Sequence, residues 1–241
     1  MNLTISKFIT RAGTCSRRRA VDLVKDGRVT LNGTVVREPW IEVTQEDLVC
    51  VNGRPIMASQ RMRYILMNKP KDCITSVSDD RGRRTVMDLI GSGVSERLFP
   101  VGRLDRNTTG VLLLTNDGGL AHRLMHPKFE TQKTYHVTLD RPCMSKDVQA
   151  LKQGLQLEDG VLQCDRVLLI PGTGRKQLFL TIHSGKYRVI RRAFEHLNYM
   201  VKKLNRSIFA SLTPRGLARG QWRELKKSEI TELKSGNDKA R

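Results

Sequence analysis

From Tyr64 onward the chain repeats one kind of segment, a short apolar run closed off by turn residues. "YILMN", "GVLLLTN", "TYHVTLD", "VLLI" and "LFLTI" are each four to seven residues long. Runs of this length fall far short of the roughly 18 residues a membrane span needs. They match β-strands. Helical patterns lie between or after them, in "GLAHRLMH", in "SKDVQALKQGL" and in "YRVIRRAFEHLNY", where Ile190, Ala193, Phe194 and Leu197 form an apolar stripe. Strands and helices do not alternate as βαβ units. The pattern predicts an α+β fold built on a mainly antiparallel mixed sheet.

The first sixty residues have a different character. In "ISKFITRAG", Ile5, Phe8, Ile9 and Ala12 follow helical spacing, and Gly13 is the stop. Ser16 is placed to cap a second helix, with Ala20, Val21 and Val24 on its apolar face and Gly27 at its end. "RVTLNGTVV" is a hairpin signature, because Asn32-Gly33 supplies the two positive-φ positions of a type I′ turn. A second such unit follows in "LVCVNGRPI". The chain therefore divides into a small module over 1–58, a linker over 59–63, a larger domain over 64–232 and a polar tail over 233–241.

A net charge of +19 on 241 residues calls for an anionic partner. Nucleic acid fits best, with an acidic membrane surface as the rival. The start "MNLTISKF" lacks the apolar core of a signal peptide, so the expectation is a soluble, cytoplasmic protein. Its five cysteines are widely spaced with no C-x-x-C pair, which argues against zinc and against a disulfide framework. Phosphate-binding glycine motifs are absent too, so no nucleotide cofactor is expected. Arg11, Arg17, Arg18, Arg19 and Arg28 gather around the first two helices. They form either a solvated face or a set of phosphate contacts, and the overall charge favours the latter.

"GRLDRNTTG" (102–110) places a lone carboxylate, Asp105, between Arg103 and Arg106 and beside an apolar strand. Such an aspartate commonly serves its own turn. Two other stretches give it chemical company. In "QKTYHVTLD", Lys133 and Tyr135 share one face of a strand, where a tyrosine is either core or a platform on which a base stacks. In "SGKYRVIRRAFEHLNY", Lys186, Arg188, Arg191 and Arg192 crowd a helix start, where the dipole disfavours cations, so an outside anion is a reason for them. Lys202, Lys203 and Arg206 follow; the set forms either a solvated basic face or a basic groove, and the overall charge favours the groove.

The segment from Ser16 to Gly33 resembles the S-four RNA-binding domain, named after a small-subunit ribosomal protein. Further along, "YILMNKP", "RGRRTVMDLI", "RLFPVGRLDRNTTGVLLLTNDGGLAHRLMHP", "KTYHVTLD" and "GKYRVIRR" occur in that order. Together they resemble the RsuA-like branch of the bacterial ribosomal-RNA pseudouridine synthases, which joins an S-four domain to a catalytic domain. The resemblance implies an isomerase of one rRNA uridine that needs no cofactor and no metal, since no atom is gained. It implies that Asp105 is the essential carboxylate, that Tyr135 stacks on the target uracil and that Arg191 pairs with the carboxylate. Arg103 is implied to help hold the nucleotide out of its stack. Arg106, Lys133, Arg188 and Arg192 are expected to meet RNA, with Arg11, Arg17, Arg18 and Arg19 doing so in the first module. Whether Asp105 attacks the ribose, attacks the base or takes a ribose proton stays open.

The expected partner is ribosomal RNA or a pre-ribosomal particle, met by a monomer. A non-catalytic RNA-binding or ribosome-assembly protein on the same scaffold is the alternative. An intact Asp, Tyr and Arg set favours the enzyme. Two departures from the family pattern stand out. Val189 replaces a usual Gln, which puts the local hydrogen bonding of that motif in question, and Asp72 replaces a common Gly after "NKPK".

Overall fold

The computed structural model describes residues 3–44, 46–57 and 61–236. The chain forms two compact units, Met1–Met62 with Ser95–Arg97, and Arg63–Val94 with Leu98–Arg241. Of the linker expected over 59–63, residues 59 and 60 lie outside the described residues.

The first unit begins with a two-residue strand β1 (Leu3–Thr4), then α1 (Ile5–Arg11) and α2 (Arg17–Lys25). Ser16 caps α2 by accepting from the Arg19 amide, which satisfies one of the donors a helix start leaves open. Its buried face is Ala20, Leu23 and Val24. Leu23 thus takes the place expected for Val21, which sits at the margin. Five strands follow: β2 (Val29–Leu31), β3 (Thr34–Val36), β4 (Glu42–Val43), β5 (Val49–Val51) and β6 (Arg54–Ile56). A four-stranded sheet runs β3-β2-β5-β6, and β1 pairs with β4. Both Asn-Gly pairs make the expected turns, with φ of 50° and 87° at Asn32 and Gly33 and of 51° and 75° at Asn52 and Gly53. Ile5, Phe8, Ile9, Val24, Val29 and Val49 lie in the core between helices and sheet.

The second unit is built on one eight-stranded sheet. Its first elements are β7 (Tyr64–Lys69), α3 (Val86–Ile90), β8 (Phe99–Pro100), β9 (Thr109–Thr115) and α4 (Gly118–Met125). The middle of the chain supplies β10 (Lys133–Leu139), α5 (Ser145–Gln153), a small hairpin of β11 (Leu155–Leu157) and β12 (Gly160–Leu162), then β13 (Arg166–Leu169) and β14 (Gln177–Ile182). The last elements are α6 (Val189–His196), β15 (Val201–Phe209), β16 (Trp222–Glu224) and α7 (Lys227–Ser235). The sheet order is β13-β14-β10-β15-β9-β7-β16, with β8 alongside β9. Each pairing is antiparallel except that of β9 with β15. The α+β class and the mainly antiparallel mixed sheet are therefore as the strand pattern predicts.

The polar tail expected from 233 begins later. α7 continues to Ser235 and Leu233 is fully buried. Residues 237–241 lie outside the described residues. Two apolar clusters pack on the sheet, one holding α5 and α6 residues such as Leu151 and Phe194, the other holding Ile65, Met67, Leu112 and Leu114 of β7 and β9. Among the described residues no helix is long and apolar enough to cross a membrane.

Gly110 shows why the centre of this sheet takes the sequence it does. It lies at φ +114°, and a Cβ there would stand 2.1 Å from the Arg206 carbonyl oxygen. Only glycine lets β9 approach β15 this closely.

Candidate active site

The start of β9, the start of β10 and the end of β15 lie together, because β9 runs parallel to β15 while Lys133 of β10 pairs with Phe209 of β15. Lys133 also pairs with Ile182, which brings the loop after β14 to the same edge. A cavity of about 760 Å³ opens there, a size that suits a nucleoside-sized ligand.

Asp105 lies in the turn that leads into β9, and that turn is clamped from below. Lys69, the last residue of β7, is fully buried. Its Nζ donates to the carbonyls of Pro70 (3.1 Å), Asp105 (3.2 Å), Arg106 (3.2 Å) and Thr108 (3.1 Å). Burial pushes this ammonium down to about 8, against the pull of Asp105 and Asp72. The Thr75 hydroxyl donates to the Leu104 carbonyl at 2.8 Å and accepts from the Leu104 amide at 3.2 Å. The Thr108 amide donates to the Asp105 carbonyl at 3.0 Å. With its backbone committed on both sides, Asp105 turns its side chain into the cavity, where it remains 30% exposed.

Two guanidiniums face that carboxylate from the start of α6. Arg188 Nη1 is 3.8 Å and Arg191 Nε 4.0 Å from Asp105 Oδ2, and the Thr108 hydroxyl is 3.5 Å away. Arg191 is anchored by donating to the Val201 carbonyl at 3.0 Å. Burial lowers its pKa and Arg188 adds to that, while Asp105 opposes both. Arg188 holds a left-handed backbone, φ 45° and ψ 30°. That conformation costs a non-glycine residue about 1–2 kcal/mol, and here it turns the guanidinium towards Asp105. A hairpin holds the same loop in place. Arg192 Nη2 reaches Asp159 at 2.7 Å, and Lys186 Nζ donates to the Asp159 carbonyl.

Tyr135 lines the cavity from β10 and packs on both cores of the unit. Arg103, Arg106, Lys133, Lys186, Arg188 and Arg206 line it as well, so the cavity lining carries six basic side chains and the Asp105 carboxylate. Asp105 and Tyr135 thus line one cavity and Arg191 faces Asp105, with Arg103 and Arg106 at the exposed edge. Arg106 stands 3.4 Å from Asp72. Asp72 itself adopts φ 57°, the region where the common glycine would be at ease.

Other placements differ from expectation. Arg192 was expected at RNA, but it turns away from the cavity to Asp159 and donates to the Tyr187 carbonyl at 2.8 Å. Lys133 lines the cavity as expected. Its ammonium, however, is committed to the carbonyls of Thr131 (2.9 Å) and His183 (2.8 Å), and burial together with Arg206 pushes it down to about 8. Val189 makes no polar contact with its side chain. It is buried in the α6 core and forms an apolar wall of the cavity. Arg11, Arg17, Arg18 and Arg19 are exposed on the first unit.

Sequence reasoning missed Lys69 as a clamp and the burial of Arg206. Arg206 was expected in a basic groove, and it does line the cavity, yet it is only 2% exposed. Its Nε donates to the Val111 carbonyl at 2.9 Å and its charge lies 4.6 Å over the Phe209 ring. Nη2 is buried without a partner among the described residues. Such an unmet donor costs roughly 1–3 kcal/mol, or more on a charged group. A signal was present, since Arg206 keeps period-two spacing with the buried Leu204.

The chain is similar to known proteins over most of its length. The family model described as RNA pseudouridylate synthase matches residues 63–196, and the S4 domain model matches 4–49. An "Uncharacterized RNA pseudouridine synthase" of Aquifex aeolicus is 39% identical over 97% of this chain and 94% of its own length. A "Ribosomal large subunit pseudouridine synthase B" of Bacillus subtilis is 39% identical over 96% of this chain and 95% of its own. A solved structure described as that of a pseudouridylate synthase superposes with a TM-score of 0.70 at 28% identity, covering 96% of this chain and 99% of that one.

Proposed function

Since the chain belongs to the RNA pseudouridylate synthase family, we propose that it isomerises a specific uridine of ribosomal RNA to pseudouridine, with Asp105 as the essential carboxylate. The observation that carries this reading is the Asp105 turn, clamped by Lys69 and aimed into a cationic cavity beside Tyr135 and two guanidiniums. The similarity to a large-subunit rRNA enzyme supports ribosomal RNA as the substrate. A monomer acting in the cytoplasm, on free rRNA or on a pre-ribosomal particle, is the simplest arrangement consistent with it.

The reaction breaks the bond from C1′ of the ribose to N1 of uracil and makes one from C1′ to C5. The C5 hydrogen leaves as a proton and N1 gains one, so the composition of the nucleotide is unchanged. Uracil must leave its stack to turn over, which costs a few kcal/mol. Stacking on Tyr135 returns roughly 1–3 kcal/mol, and Arg103 and Arg106 meet the neighbouring phosphates. Asp105 acts where sugar and base part, as a nucleophile or as a base. Arg191 and Arg188 compensate the burial of its charge once RNA closes the cavity. Arg11, Arg17, Arg18 and Arg19 on the first unit add phosphate contacts that hold the substrate without reading its sequence.

The test is to map pseudouridine in rRNA from cells with and without this protein. The reading expects at least one rRNA pseudouridine to vanish and to return on incubation with the purified chain. Identical maps would refute it.

A further inference from the structure

Arg206 is a buried guanidinium with more donors than partners. Nε is taken by the Val111 carbonyl, and Nη2 has no partner among the described residues. β10 and β15 pair so that Tyr135 stands opposite Arg206, at an irregularity in the register between Thr134 and Tyr135. The Tyr135 hydroxyl is the side-chain group that favours the charge on Arg206. Lys133, two residues from Tyr135, is already committed to two backbone carbonyls. Asp105 is paired with Arg188 and Arg191.

A phenol oxygen accepts fewer hydrogen bonds than the same oxygen without its proton. An idle charged donor on the residue paired with Tyr135 across the strands therefore has a use when negative charge gathers on that oxygen. We propose that Arg206 is a positioning residue of the reaction, fixing the Tyr135 hydroxyl from behind and holding a spare N–H for that oxygen. Arg206 is 2% exposed and acts through Tyr135. This inference rests on the pseudouridine synthase reading.

The experiment is a double-mutant cycle with Tyr135→Phe and Arg206→Gln, measured on the rRNA fragment that carries the mapped uridine, together with Arg206→Lys. Arg206→Gln should lower kcat at least tenfold and change KM less than twofold. Tyr135→Phe should lower kcat similarly, and the double variant should be no slower than Tyr135→Phe alone. Arg206→Lys, which keeps the charge, should recover part of the loss. Losses that multiply in the double variant, or a loss carried by KM, would overturn the proposal. A second arm needs no change at Arg206. Tyr135→Phe keeps the ring in place but removes the group the guanidinium leans on, so its urea midpoint should fall below that of the unaltered protein. An unchanged midpoint would also overturn the proposal. An unaltered protein that forms no pseudouridine would sink the functional reading instead, and the urea arm would still decide the contact.

Discussion

Replacing Lys69 with methionine removes the clamp under Asp105 while roughly keeping side-chain volume. The ammonium has three protons and four carbonyl acceptors, two of which belong to Asp105 and Arg106. Hydrogen bonds from a charged donor contribute about 1.5–3 kcal/mol each, so roughly 5–9 kcal/mol of favourable interaction goes. Against that stands the burial of the charge. A fall from 10.5 to about 8 corresponds to about 3.5 kcal/mol at about 1.4 kcal/mol per pH unit. The net expectation at pH 7 is a loss of roughly 2–5 kcal/mol, measured by urea unfolding. The pH dependence has a definite sign. Folded Lys69 releases its proton near 8, while the unfolded chain holds it to about 10.5. Between these values the unfolded state binds more protons, so the contribution of Lys69 to stability rises with pH. The stability gap between the unaltered protein and Lys69→Met should therefore widen by roughly 2–3 kcal/mol from pH 8 to pH 10. Lys133 titrates in the same range but is present in both proteins and cancels. A gap that stays flat over this range would refute the reasoning.

Three further expectations follow from the same geometry. Gly110→Ala should destabilise the protein by roughly 3–5 kcal/mol, because its Cβ meets the Arg206 carbonyl at 2.1 Å; thermal or urea unfolding reads this out, and a loss under about 1 kcal/mol would contradict the close approach. Changing Arg17, Arg18 and Arg19 together to Gln should weaken RNA binding and flatten its dependence on log salt by up to about 2–3, with an unchanged slope counting against phosphate contacts. Arg191→Met should cut turnover while leaving that salt slope unaltered, since Arg191 is held at the Val201 carbonyl and faces Asp105; a changed slope with normal turnover would assign it to phosphate.

Local signals in the sequence carried the elements well. Short apolar runs closed by turn residues located β7, β9, β10, β13 and β14, Asn-Gly pairs located both hairpins, and Ser16 located the start of α2. β15 was harder, because "VKKLNRSIF" carries three cations among its apolar residues and reads as a basic stretch. The sheet buries one of those cations, Arg206, since Gly110 brings β9 against it. The short helices α3 and α7 escaped notice because each presents only a few apolar residues. At the site, Asp105, Tyr135 and Arg191 were legible through their motifs. Lys69 was not, because its role is to satisfy carbonyls of a turn far along the chain, and sequence spacing does not record tertiary hydrogen bonds. Arg192 was misplaced for a related reason. Neighbouring arginines on a helix point to different sides, and only the Asp159 hairpin decides which one leaves the cavity.

The most direct measurement is pseudouridine formation by Asp105→Asn on the mapped rRNA fragment. The amide keeps the shape of the side chain, and Lys69 still holds the backbone of the turn, so the variant should fold and bind RNA within a few-fold of the unaltered protein. It should form no detectable pseudouridine, because the charged oxygen that acts between sugar and base is gone. Substantial turnover by this variant would contradict the account.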